Sequence, residues 1–215
     1  VTQASTKPLE GNGAGLVREI ALANRIQRGL ETLYRLAPAA AVDDFVTPAA
    51  EGEREALLVR ESEGSLELML RIPALGDRTV DVMQSTASLD ALCQIIEGVS
   101  HFVYLAHRAS LDREATQLEL ELQAEVDKYV ILASALPAFD ETKSERLRTR
   151  LYQAVDYVHD AGTERGDRYR AANRGAQRFT ARLERDYVRN ARFGELQGEL
   201  RRFFHMSQSD KLRAA

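Results

Sequence analysis

Tryptophan is absent from the 215 residues, and the chain holds a single cysteine, Cys93. One thiol excludes an intramolecular disulfide, and without a CxxC or a Cys/His cluster structural zinc is excluded too. The neighbours Leu89, Leu92, Ile95 and Ile96 mark Cys93 as a small buried hydrophobe. No stretch approaches the roughly 18 consecutive apolar residues of a spanning helix, so no membrane span is expected. The chain starts at Val1 with no charged segment leading into an apolar one, so no secretory signal is visible. A cytoplasmic location is therefore the expectation. Lysine is scarce as well: only Lys7, Lys128, Lys143 and Lys211 stand among 29 basic residues. With so much alanine this reads as GC-rich coding, and arginine in place of lysine carries no functional weight.

Catalytic motifs are missing in the same way. No G-x-S-x-G elbow occurs, and Cys93 has no neighbouring base. Gly11, Gly13 and Gly15 lack both the preceding strand and the Gly-Lys-Ser/Thr that a phosphate-cradling loop needs. His101, His107, His159 and His205 are scattered. No catalytic residue and no cofactor is assigned, and an enzyme is the less favoured class.

What is present is an ordinary globular balance, 44% apolar and 29% charged, with enough length for a core. The net charge of −4 is unevenly spread. Residues 1–140 carry a balance of −10, and residues 141–215 one of +6. Such asymmetry points either to a basic region that meets polyanions or to two halves that attract each other.

The periodicities predict a mainly α fold: about five long helices with an inserted β-hairpin or small antiparallel sheet. Residues 1–14 are polar, glycine-rich and aperiodic, and are expected to be disordered. Residues 15–215 are expected to form one helical domain. Leu16, Ile20, Ala23, Ile26, Leu30 and Leu33 step by three or four and predict a helix over 15–36. Pro38 and Pro48 bracket a loop. Leu66, Leu68, Leu70 and Ile72 then alternate with Glu67, Met69 and Arg71, and with Leu57 and Val59 they predict a hairpin at about 55–73. Thr79–Met83 is a candidate third strand. An apolar helix follows over 88–107. A Thr116-x-x-Glu119 capping box opens the next one, which ends before Pro137. Residues 141–161 predict another helix. A long one is expected over 167–193 with Gly194 at its end, and a short amphipathic tail closes the chain.

The 167–193 stretch carries the strongest functional signal. Arg170, Arg174, Arg178, Arg182, Arg185, Arg189 and Arg192 recur at steps of three or four. On one helix they form a cationic stripe roughly 30 Å long, opposite Ala172, Ala176, Phe179, Leu183 and Tyr187. The favoured role is a non-catalytic interaction or adaptor protein that uses this charged C-terminal helix, with a protein partner or self-association. Nucleic acid or a phosphorylated ligand along the arginines is the rival, although a pI near 5.7 is wrong for a dedicated nucleic-acid binder. The stripe could instead be neutralised by Glu119, Glu121, Glu125 and Asp127 of the preceding helix.

Two weaker patterns point to a metal-dependent hydrolase. Glu97 and His101 stand four apart on the most apolar helix, a spacing at which both could ligate one ion. The Glu-x-x-His repeats of di-iron bundles are missing, however. His159-Asp160 resembles the His-Asp pair of HD-type phosphohydrolases, whose metal activates water. That fold also needs an earlier histidine and a later aspartate, and His107 and Asp167 are poorly spaced for those places.

Overall fold

The computed structural model describes residues 6–8, 16–38, 40–62, 65–75 and 86–215. The fold is mainly α with a small inserted sheet, and seven α-helices occur among the described residues rather than five. Contacts gather the chain into two compact units: Val1–Thr32 with Leu36–Ala115, and Leu33–Arg35 with Thr116–Ala215.

The first unit is built on the hairpin that the alternation foretold. Strands β3 (Ala56–Ser62) and β4 (Ser65–Ile72) pair antiparallel, with Leu57 opposite Leu70 and Val59 opposite Leu68. Leu68, Leu70 and Ile72 are wholly buried while Glu67, Met69 and Arg71 are only half-buried, the period of two expected of a strand with one covered face. A lone hairpin is marginal in water, and β4 gains further partners. Strand β1 (Thr6–Pro8) runs parallel to it at Leu66–Leu68, and β2 (Val46–Pro48) runs parallel at Leu70–Ile72. The other residues of 1–14 lie outside the described set, as do the turn at 63–64 and the Thr79–Met83 candidate.

Strand β2 sits where the two prolines suggested only a loop. Val42, Phe45 and Val46 explain it, because all three are buried and cannot be left in water. A 3₁₀ turn, Val42–Phe45, delivers them. The Val42 amide donates to Gln27 Oε1 (2.8 Å) on helix α1 (Val17–Tyr34), and Gln27 Nε2 donates to the Ala40 carbonyl (3.0 Å). Phe45 meets Phe102 of helix α2 (Thr86–Ser110) at 5.1 Å between rings. Where α2 crosses β4, a Cβ on Gly98 would lie 2.6 Å from Leu70 Cδ1, so a larger residue there would require the Leu70 side chain to shift.

In the second unit, α3 (Gln117–Ala135) begins with the anticipated capping box. The Glu119 amide donates to Thr116 Oγ1, and the Thr116 amide donates to the Glu119 carboxylate. Helix α4 (Glu141–Tyr152) is shorter than expected. Leu147 and Leu151 are buried, but Ala154 and Val158 are exposed and gain nothing by continuing the helix. Val155, Asp156, Tyr157 and Val158, which follow, are weaker helix formers.

Helix α5 (Glu164–Leu183) passes into a π-helical turn, Glu184–Val188. The helix does not reach residue 193. Ala191 adopts a left-handed φ of 51°, the chain turns, and α6 (Phe193–His205) starts afresh. Gly194, expected to end a helix, lies in the first turn of this one. A last short helix, α7 (Gln208–Ala214), follows. Phe179 stacks on Phe203 at 4.0 Å and Tyr34 on Phe204 at 4.2 Å, all wholly or almost wholly buried. Each such ring contributes roughly 1.5–3 kcal/mol through burial.

Among the described residues, no helix is long and apolar enough to cross a membrane.

Candidate functional site

The structure divides the seven arginines into two groups. Arg170 is half-buried: its Nη1 donates to the carbonyls of His159 (2.9 Å) and Gly166 (3.0 Å), and its guanidinium lies 4.4 Å from the Tyr157 ring centre. Arg182 pairs with Glu199 at 2.9 Å and packs 5.1 Å from the Phe179 ring. Arg185 is held by Asp186 (2.7 Å), Arg189 by Glu141 (2.6 Å), and Arg192 by Glu195. The Arg185 hydrogen bond holds the Asp186 carboxyl below its usual range, and that of Arg192 does the same for Glu195. These pairs are exposed, so each contributes little to stability.

Three of the acids suggested on the preceding helix have partners of their own. Glu119 closes the capping box, Glu125 pairs with Lys128 (2.8 Å), and Asp127 accepts from Tyr34 and Gln123. Arg174 and Arg178 are exposed and make no hydrogen bond or ion pair among the described residues. They stand one helical turn apart, about 6 Å along the axis of α5.

Arg178 also opens onto a shallow cavity of about 540 Å³. Arg182, Arg185 and Arg213 line it with Glu199 and Met206. Glu199 is buried and pairs with Arg182 and Arg202, Asp186 holds Arg185 and Asp210 holds Arg213, so Arg178 is the lining arginine that makes no ion pair among the described residues. Glu199 comes from α6, Met206 from the position just after it, and Arg213 from α7. No local repeat in the sequence ties those helices to α5, and this half of the cavity was invisible there.

The π turn opens at Glu184, which lies inward, 4% exposed, with Leu183 before it and Val188 at the end of the turn also buried. Its carboxylate accepts from Ser144 Oγ (2.6 Å) and from Arg148 Nε (3.0 Å) and Nη2 (2.8 Å). Burial works against the Arg148 charge, but the Glu184 bonds outweigh it and raise the group above its usual value. Tyr129 shares the Ser144 hydroxyl (2.7 Å) and is pushed up to about 12, mainly by burial. A second buried chain runs from Lys211 Nζ to Gln123 Oε1 (2.6 Å), and from Gln123 Nε2 to Asp127 (3.0 Å) and Tyr34 Oη (3.1 Å).

The metal candidates fall in separate units. Glu97 and His101 lie one turn apart on α2, 5% and 8% exposed, as their spacing implied. His159 and Asp160 lie in the loop between α4 and α5, not on a helix. There the backbone carbonyls do the bonding: His159 accepts from Arg170, and Asp160 from Thr163 Oγ1 (2.8 Å). The loop presses on α5 so closely that a Cβ at Gly166 would lie 2.0 Å from the Asp160 carbonyl oxygen. Gly166→Ala is expected to cost about 1–3 kcal/mol as the loop is forced away. Urea unfolding measures it, and an unchanged midpoint would contradict the close approach.

The chain matches no family model, no curated protein and no solved structure.

Proposed function

We propose that this is a non-catalytic cytoplasmic interaction or adaptor protein that receives an anionic partner on the outer face of α5. One observation carries the reading: Arg174 and Arg178 are exposed without a pairing acid, and Arg178 adjoins a cavity lined by three further guanidiniums. Arg148 and Arg170, by contrast, are engaged by a carboxylate and by backbone carbonyls. Two that are not engaged present five donors each in a planar fork suited to carboxylate or phosphate.

The test is charge reversal. The native chain is expected to bind immobilised heparin at low salt and to elute as salt rises. Arg174→Glu with Arg178→Glu should abolish retention while thermal unfolding stays within about 0.5 kcal/mol of native, because both side chains are on the surface. A native chain that runs through the column unretained would overturn the proposal.

A further inference from the structure

We infer that the anionic partner is an acidic helical segment of another protein, with two carboxylates one turn apart, and not a nucleic acid. The inference rests on the reading above and narrows its ligand class.

The first argument is the number of available cations. Seven arginines in a row suggest a polyphosphate track, but Arg170, Arg182, Arg185, Arg189 and Arg192 already hold partners within the chain. What remains wholly available is a pair separated by about 6 Å. Duplex DNA presents a charge about every 1.7 Å, far more than such a pair can neutralise. Glutamates at i and i+4 of a helix repeat at the same rise as Arg174 and Arg178. A helix lying along α5 therefore brings each carboxylate to one fork.

The second argument is that the ring next to the pair on α5 is not open for base stacking. Phe179 is wholly buried, while the guanidiniums of Arg170 and Arg192 lie over the rings of Tyr157 and Tyr187. Single-stranded nucleic acid draws much of its affinity from open aromatic faces. The third is the apolar element of the cavity. Met206 sits among the arginines and offers an adaptable contact for an apolar side chain next to the acidic pair. Apolar anchors flanked by charge are how an amphipathic helix is held in a groove.

The experiment uses the full chain and three probes: a labelled helical peptide with glutamates at i and i+4, its isomer with them at i and i+2, and a 16-base-pair duplex. The i, i+4 peptide should bind about fivefold tighter than its isomer, the value for two modest surface ion pairs. Its logarithmic salt slope should be shallow, near −2, against about −6 if all seven arginines released counterions. Arg174→Glu with Arg178→Glu should lose this peptide and bind the lysine counterpart instead. A duplex that binds more tightly than the peptide, with a steep slope, would overturn the inference while leaving the anion-binding surface in place. No binding by any probe would remove both. Light scattering should read a monomer; a dimer dissolved by the double variant would make a second copy the occupant and overturn the assignment to another protein.

Discussion

Glu184→Ala is expected to lower the unfolding free energy by about 3 kcal/mol, and up to about 5, when measured by urea denaturation at neutral pH. The side chains of Arg148 and Glu184 are 15% and 5% exposed, so the guanidinium left behind cannot regain its full hydration. Ser144 loses its acceptor at the same stroke, and its hydroxyl is wholly buried beside Tyr129. Two comparisons separate a charge effect from simple truncation. Glu184→Gln keeps the shape and an acceptor oxygen, and should fall between native and alanine. Replacing both partners, Glu184→Leu with Arg148→Met, should recover most of the loss, because no charge is then left stranded. If alanine costs less than about 1 kcal/mol, the carboxylate is not the hub linking α3, α4 and the π turn.

The second large effect belongs to Lys211. It is the one buried residue of α7 among those described, wholly inside, with its ammonium 5.0 Å from the Phe203 ring centre and 5.8 Å from that of Phe204. A seven-residue helix does not persist without tertiary support. Lys211→Ala removes the stem that fills the space between these rings and the donor that Gln123 requires. The expected cost is about 2–4 kcal/mol, concentrated at this end of the chain. Hydrogen exchange should show residues 208–214 losing protection while α3 and α5 keep theirs. Lys211→Met retains most of the stem and should do less damage. Equal protection of 208–214 in native and Lys211→Ala would refute the anchoring role.

The contrast between what was legible and what was not has a physical basis. The capping box at Thr116 and the alternation from Leu66 to Ile72 are short-range signals, set by neighbours two to four residues away, and both are present in the fold. The arginine spacing is also local, and it placed Arg174 and Arg178 on one face of α5. Its limits came from contacts at a distance. Glu141 lies 48 residues before Arg189, and Glu199 lies 17 after Arg182, so no window on the sequence could show those arginines engaged. The left-handed turn at Ala191 carried no glycine to announce it, so one long helix was expected where α5, a π turn and α6 occur. For the partner itself, charge and spacing give a class of chemistry and no more.

The extra residue at Glu184–Val188 fixes the length of this part of the chain. Each residue in a regular helix advances the azimuth by about 100°. Deleting any one position there would restore an ordinary repeat while swinging every later side chain by that angle about the axis. Glu184 and the arginines before it would keep their headings, but Arg189, which follows the turn, could not keep its own toward Glu141. The segment thus works as a phase adjuster between α5 and the side chains that come after it.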